Sequence, residues 1–409
     1  AAGFSLLDRQ FKTSFLLPDA LRQTAAMFFQ FSDPGLEPVT GLGRYFAGSI
    51  YGISLVAFGY AAVQLIRPVL LRQPATPAER EAARAIVEQY GQTSLAAFAL
   101  LPDKSYFFSP GGSVIQYVVK GRVALTLGDP VGPPGDAAGA VQAFQGLCAR
   151  SDWLPAFYQV LPDNLPLYRD AGFQALSIGQ EGIVRLDAFT IEGRENKGMR
   201  SAYNRWVRSG CQASVFDPPH PPEMLAGLRE ISNAWLTLVH GSEKRFSLGW
   251  FDDGYLNRCR VMVVSGADGR RLAFANLLSE YQRNESTIDL MRYRPGLENG
   301  LMDFLFVSLL TWARAQGYDT FNLGLSALYG VGEAPSDPAV ARALHYIYEH
   351  VSRFYNFKGL HEFKEKFHPL WEPRYLVYPD AASLPLVTLA MLRADSGDDM
   401  FGSYFHTGS

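Results

Sequence analysis

Cysteine is scarce in this chain: three in 409 residues, at Cys148, Cys211 and Cys259. An odd number at wide spacing, with no C-x-x-C pair, excludes a disulfide framework and the usual zinc sites, and fits a reducing compartment. Histidine is scarce too, with seven in all. No H-E-x-x-H occurs, and His345 and His350 are five apart, on different faces of any helix, so no metal site is indicated. Neither sign of charge dominates, with 37 Lys and Arg against 40 Asp and Glu. A formal charge of -3 names no partner, because local patches depart from the mean. A signal peptide is not indicated either: the long apolar run starts too far in, and no small-residue cleavage site stands out. What is present is apolar: 48% hydrophobic and 13% aromatic residues, enough for large cores. The length predicts two or three domains. The chain opens on Ala1 rather than Met, so a fragment is expected.

The longest uncharged run, Tyr45–Ile66, reads YFAGSIYGISLVAFGYAAVQLI. As a helix it is long enough for about 30 Å of hydrocarbon, which predicts a membrane span. Tyr45, Tyr51 and Tyr60 give a loose aromatic flank, and Gly48, Gly52 and Gly59 suit close packing in lipid. Arg67, Arg72, Arg80 and Arg84 follow it and favour a cytoplasmic location for everything after, although Arg9, Lys12, Arg22 and Arg44 precede it.

Beyond a Pro-bearing linker at Gln73–Pro77, the pattern alternates strand and helix. Helices are expected from Thr76 or just after Pro77 to Tyr90, and from the long turn Gly128–Asp136 to Cys148. Strands are expected at 105–108, 114–119, 123–127, 155–160 and 182–186, with a further strand within YRDAGFQALSIG. A second run follows: strand 212–216, helix 222–238, strands 261–264, 271–279 and 287–293, helix 301–315, strand 320–324, helix 338–355 and strand 375–378. The two runs have similar order, which suggests two related α/β domains.

Between them lies RENKGMRSAYNRWVRSG, residues 194–210. At 100° per residue Lys197, Arg200, Arg205 and Arg208 share an arc of roughly 140°, opposite Met199, Ala202, Tyr203 and Trp206. No acid lies between Asn196 and Gly210 to pair with them. The face is either solvated or a seat for a polyanion, nucleic acid or anionic lipid.

The chemistry is expected in Ser286–Gly300, STIDLMRYRPGLENG. Asp289 interrupts an apolar strand. A buried carboxylate costs several kcal/mol, on the order of a broken buried ion pair, unless it is partnered. Arg292 is the nearest cation in sequence. The strand breaks at Pro295-Gly296, and a helix starts near Gly300, a place that favours an anion. The plain alternative is a structural Asp–Arg pair beside a turn. Glu243, Asp252 and Asp253 sit in a loop where they either meet an ammonium group or are surface acids.

Six stretches together resemble the cytosolic catalytic domain of the phosphatidylglycerol aminoacyltransferases, the multiple peptide resistance factor family. They are GDPVG (Gly128–Gly132), NKGMRSAYNR (Asn196–Arg205), EKRFSLGWFD (Glu243–Asp252), IDLMRYRP (Ile288–Pro295), NLGLSAL (Asn322–Leu328) and FKGLHEFKEKFHPLWEPRYLVYP (Phe357–Pro379). Each is weak alone, but their order is specific, and they cover most of 77–379. The resemblance implies two acetyltransferase-like (GNAT) domains joined by a basic helix: a membrane-proximal segment 1–76, a first domain 77–193, the linking helix 194–210, a second, catalytic domain 211–380 and a tail 381–409. It further implies transfer of a lysyl or alanyl group from aminoacyl-tRNA to the glycerol hydroxyl of phosphatidylglycerol at a bacterial inner membrane, with the domain in the cytoplasm. Such transfer lowers the negative charge of the membrane and gives resistance to cationic antimicrobial peptides. Neither metal nor coenzyme A is implied, and RYRPGLENG keeps glycines only at Gly296 and Gly300, in agreement with loss of a coenzyme A phosphate loop.

By the same resemblance Asp289 and Arg292 are the catalytic pair and Lys364 a further functional cation. Arg294, Glu298, Asn299, Ser326, Glu243 and Tyr255 complete the substrate-binding candidates, Lys197, Arg200, Arg205 and Arg208 are the tRNA-binding candidates, and self-association would run through the membrane part. An aminoacyl ester is already activated, so the reaction needs a held hydroxyl, a proton acceptor and a cation or N–H for the oxyanion. Asp289 suits either the proton or the aminoacyl ammonium. Two rivals fit the same residues: a Fem-type transferase with a peptidoglycan-precursor amine as acceptor, and a non-catalytic membrane-tethered binder of tRNA or anionic lipid.

Overall fold

The computed structural model describes residues 17–25, 38–70, 75–239, 242–278, 281–333 and 357–397, with Phe11, Met27 and Ala341 as single positions. The chain divides into two compact units, 1–73 and 74–409. The helix expected at 338–355 lies almost wholly outside the described residues.

The first unit holds α1 (Leu17–Ala25) and α2 (Gly41–Leu70). The stretch expected to span a membrane is indeed one unbroken helix, 30 residues long. Among the described residues, however, no helix is long and apolar enough to cross a membrane. Gly48, Ser49, Gly52, Ser54 and the tyrosines dilute the run, while Ile53, Leu55 and Val56 stand exposed on it.

The second unit is a mixed α/β structure built on one sheet. Its helices are α3 (Pro77–Tyr90), α4 (Ser94–Phe98), α5 (Ala137–Arg150), α6 (Leu165–Asp170), α7 (Lys197–Arg208), α8 (Pro222–Leu238), α9 (Asp253–Leu256), α10 (Leu301–Ala315), α11 (Phe357–Glu365) and α12 (Leu384–Asp395). Helix α3 begins where the sequence says: Thr76 Oγ1 accepts the Glu79 N–H, and the Glu79 carboxylate accepts the Thr76 N–H at 2.7 Å.

The strands are β1 (Ser105–Phe108), β2 (Val114–Lys120), β3 (Val123–Leu127), β4 (Leu154–Val160), β5 (Gln174–Arg185), β6 (Gln212–Phe216), β7 (Arg260–Ser265), β8 (Arg271–Leu278), β9 (Glu285–Tyr293), β10 (Thr320–Ala327) and β11 (Leu370–Tyr378). They form a single sheet in the order β1-β2-β3-β4-β11-β5-β10-β9-β8-β7-β6. On one side β1 to β3 are antiparallel and β4 joins β3 in parallel through α5. On the other, β6 to β9 are antiparallel and β10 joins β9 in parallel through α10. The centre is interlocked, since β11 sits between β4 and β5, and β5 sits between β11 and β10. Each run of strands therefore ends against a strand supplied by the other. Gln174–Arg185, expected to fall in two strands, form one long strand, β5, which serves both neighbours.

The core follows the sheet. All five residues of β3 are buried, as suits a strand covered on both faces. Helix α10 buries Leu301, Phe304, Leu305, Phe306, Val307, Leu309, Leu310 and Ala313. At ~1.5–3 kcal/mol for each large apolar side chain, that helix is a main anchor of β9 and β10.

Candidate active site

Strands β9 and β10 pair only at their beginnings, Glu285–Thr287 against Thr320–Asn322, and run on separately afterwards. They thus open a fork. Each arm is bent by a β-bulge. On β9 the partner register jumps from Met291↔Ala275 to Ile288↔Leu277, so Asp289 and Leu290 together stand opposite Asn276. On β10 Leu323 and Gly324 together stand opposite Gly182 of β5. A bulge reverses the alternation of side chains and re-aims one of them. Ile288 and Met291 pack in the core beneath α10, whereas Leu290 packs in the core on the α8 side. Asp289 is turned to that second side, toward Tyr255.

Asp289 is held there by three hydrogen bonds. The Gly249 N–H reaches Oδ1 and Oδ2 at 3.1 and 2.9 Å, and the Tyr255 hydroxyl donates to Oδ2 at 2.7 Å. Burial pushes the carboxyl up to about 6 against these hydrogen bonds and the nearby Arg292 charge, with the Glu243 charge adding to the rise. Gly249 has to be glycine, since a Cβ would lie 2.2 Å from Asp289 Oδ2 and 2.5 Å from the Tyr255 ring. Burial and the facing carboxylate hold the Tyr255 hydroxyl well above its ordinary value, so it stays a donor. Neighbouring Cys259 is buried and its thiol is pushed up to about 11, which disqualifies it as a nucleophile.

Arg292 does not pair with Asp289. Its Nη2 donates to Glu243 Oε2 at 2.8 Å, and its guanidinium lies 4.3 Å from the Trp235 ring centroid. The arginine is 6% exposed, and its Nη1 has no hydrogen-bond partner. A buried guanidinium N–H without an acceptor is costly. Glu243, expected as a seat for an ammonium group, is occupied by Arg292 and by the Phe251 N–H at 3.3 Å.

The other arm carries Lys364, brought from α11. Its Nζ donates to the carbonyls of Gly324 and Leu325 at 3.0 and 2.9 Å. Burial pulls the ammonium down to about 7, partly countered by the Glu181 charge. Gly324 adopts φ +77°, in the left-handed region that glycine favours, and this lets the bulge offer its carbonyl. Behind it the buried Glu181–Arg374 ion pair and Asn322, which donates to Glu181 at 3.3 Å, fill the base of the fork. Ser326 is fully buried with a hydroxyl that has no partner.

The remaining candidates lie elsewhere. Arg294 is committed to the Arg271 carbonyl at 2.9 Å and to Glu230 at 3.1 Å. Glu298 is exposed and sits 3.7 Å from Arg205, which also donates to the Asn299 carbonyl. The loop after β9 is therefore docked on the basic helix α7. Asp252 caps α9 by accepting the Tyr255 N–H at 2.8 Å, and Asp253 pairs with Arg229 at 2.7 Å. On α7, Arg200 donates to the Ile191 and Gly193 carbonyls at 2.7 and 2.9 Å and lies 3.6 Å from Glu192. Lys197 and Arg208 face outward. The acids that pair with this helix, Glu192 and Glu298, come from loops outside it.

Three site residues escaped the sequence reading: Gly249, Trp235 and Asn276. Asn276 is the one polar residue between the apolar positions of RLAFANLL, and the argument that singled out Asp289 applies to it equally.

A carboxylate and a lysine held at the two arms of a splayed parallel pair, in one large mixed sheet, define the class: a mixed α/β protein. A family model described as phosphatidylglycerol lysyltransferase, C-terminal, matches residues 84–378, and the chain belongs to that family. The phosphatidylglycerol lysyltransferase of Bacillus subtilis is 34% identical over 319 residues, 77% of this chain and 37% of the relative. That of Staphylococcus epidermidis is 32% identical over 310 residues, 76% of this chain and 37% of the relative. The chain thus spans little more than a third of the length of these relatives. Among solved structures, that of L-PGS from Bacillus licheniformis superposes with a TM-score of 0.70 at 35% identity, covering 80% of this chain and 99% of that one. The C-terminal domain of a putative lysylphosphatidylglycerol synthetase from Agrobacterium fabrum superposes with a TM-score of 0.70 at 36% identity, covering 79% and 99%.

Proposed function

We propose that this chain transfers an aminoacyl group, lysyl before alanyl, from aminoacyl-tRNA to the glycerol hydroxyl of phosphatidylglycerol. The observation that carries the reading is Asp289: a carboxylate beside the fork, turned toward Tyr255 by a bulge and fixed by Gly249 and Tyr255, with a pKa of about 6. Such a group is ionised at neutral pH yet basic enough to take a proton. The names of the 30–34% identical relatives, phosphatidylglycerol lysyltransferases, support the lysyl group and the lipid acceptor.

In the proposed step the lipid hydroxyl oxygen attacks the ester carbonyl carbon and its proton passes to Asp289. The carbon–oxygen bond to the terminal ribose breaks, and Asp289 returns the proton to the departing ribose oxygen. One ester is exchanged for another with no net proton released. Lys364 spends two of its three donors on Gly324 and Leu325, and its remaining N–H answers the charge that develops on the carbonyl oxygen. The unpartnered Nη1 of Arg292 takes a phosphate or ester oxygen of a substrate, and the Trp235 face and Glu243 keep the guanidinium aimed.

The finer architecture belongs to the same reading. The two strand runs, each antiparallel and closed by a parallel crossover, support two acetyltransferase-like halves joined by α7. The exposed apolar side chains of α2 support attachment to a bacterial membrane, with the active site on its cytoplasmic face, where tRNA is found.

The test is transfer of radiolabelled lysine from lysyl-tRNA, or alanine from alanyl-tRNA, into a chloroform-soluble product in the presence of phosphatidylglycerol. Asp289→Asn keeps the shape and is expected to lower the rate by about 100-fold or more. No labelled lipid from either tRNA would overturn the reading.

A further inference from the structure

Helix α12 lies at the surface, yet its outward side is not polar. Val387, Ala390 and Ala394 face the core, while Leu386, Leu389 and Leu392 point outward at 48%, 36% and 41% exposure. Pro385 and Thr388 complete that outward side, and no charged residue occurs from Leu384 to Leu392. A surface helix ordinarily turns charged and polar residues to water, so three leucines at i, i+3 and i+6, within an arc of about 120°, mark a face meant to be covered.

What covers it is indicated by what lies at its end. Arg393 closes the stripe, and the loop before Gly249 is tied to the same end: the Arg245 N–H donates to the Asp395 carbonyl at 2.9 Å, and Lys244 pairs with the Asp395 carboxylate at 2.9 Å. Arg393 and Arg245, the latter stacked over the Trp250 ring at 4.7 Å, thus set two cations at that end of the stripe, beside the Lys244–Asp395 pair. Three residues beyond Arg245 on that loop, Leu248 is 42% exposed, and the next residue is Gly249, the donor to Asp289. An apolar stripe ending in cations suits the boundary of an anionic bilayer, where apolar side chains enter the acyl region and cations meet headgroup phosphates.

We infer that the outward face of α12, with Leu248, is a docking surface that seats on an anionic lipid bilayer and brings the Asp289 loop to the headgroups. The choice of a bilayer over a second copy of this chain rests on the lipid-acceptor reading above and on those two cations.

The test uses the full chain. The described cysteines are all buried, so an environment-sensitive thiol dye on Leu389→Cys reports that face locally, and Glu81→Cys on α3 serves as the exposed control. With vesicles rich in phosphatidylglycerol, the dye at 389 is expected to shift to the blue and to be quenched by spin-labelled acyl chains. With pure phosphatidylcholine the shift should be much smaller, and the control should not respond. No response at 389 would overturn the proposal. So would a shift that grows with protein concentration in the absence of lipid, which would identify a second copy. In parallel, Leu386→Ser/Leu389→Ser/Leu392→Ser is expected to slow transfer to lipid in vesicles by about tenfold or more while leaving transfer to the same lipid in detergent micelles unchanged. Equal rates on vesicles, or an equal fall in both, would count against docking. Because the dye reads binding without turnover, absence of transfer altogether would sink the functional reading and leave the docking surface standing.

Discussion

Asn276 accepts the backbone N–H of Leu290 through its side-chain Oδ1 at 2.7 Å. It stands where one residue of β8 faces two of β9, so a side chain supplies the acceptor that the ladder cannot. The bulge that aims Asp289 therefore depends on this amide. Asn276 is fully buried, and its replacement by Leu would leave the Leu290 N–H without a partner, at about 1–3 kcal/mol. We expect Asn276→Leu to lower stability by that amount in urea denaturation and to cut transfer at least tenfold, with a smaller effect on the affinity for tRNA. A variant with wild-type turnover would show that the bulge forms without Asn276.

That dependence explains what the sequence disclosed and what it withheld. Strand and helix positions were legible because periodicity reports burial, and 222–238 and 301–315 stand as helices over the residues expected. Asp289 was legible because a carboxylate in an apolar strand needs a reason. Its partners were not. The nearest opposite charge in sequence is Arg292, while the partners, Gly249 and Tyr255, lie 40 and 34 residues away. The interlocking of β5 and β11 was also hidden, because strand order is set by pairing between distant segments. Nor did the composition of α7 reveal that Glu192 and Glu298 reach two of its arginines from outside.

The titration of the site gives a sharper test. Asp289 with a pKa of about 6 should set the acid limb of kcat/KM, with activity rising as pH passes through 6. Lys364, pulled down to about 7, should set the alkaline limb, since its cationic form is the one that answers the oxyanion. The Tyr255 hydrogen bond lowers the Asp289 pKa, so Tyr255→Phe is expected to move the acid limb upward and leave the alkaline limb in place. A stability check runs in parallel. A carboxyl whose folded pKa is raised contributes stability below its unfolded value of 3.8, and that contribution is lost as pH rises through about 6. Urea denaturation should therefore show Asp289→Asn gaining on the wild type between about pH 4 and pH 7. An acid limb that stays put in Tyr255→Phe would mean that Asp289 is not the group being titrated.

The basic helix makes the last prediction, and the structure divides its four candidates. Arg200 ties down the 191–193 loop through two carbonyls, and Arg205 holds the 298–299 loop. Lys197 and Arg208 are exposed on the outer face. Each phosphate neutralised by a cation releases counterions, so removing one such cation lowers the slope of log K against log salt by a bit under one. We expect Lys197→Gln/Arg208→Gln to weaken tRNA binding and flatten the salt dependence by about one to two units of slope, with stability unchanged. Arg205→Gln should behave differently. It frees the loop that precedes α10, where Gly300 packs so closely on Ala202 that a Cβ would lie 2.8 Å away. Its expected signature is therefore lower stability with a smaller change in slope. The measurement is tRNA affinity at several salt concentrations beside urea denaturation for each variant. A slope identical to wild type in Lys197→Gln/Arg208→Gln would show that the outer face of α7 meets water rather than nucleic acid.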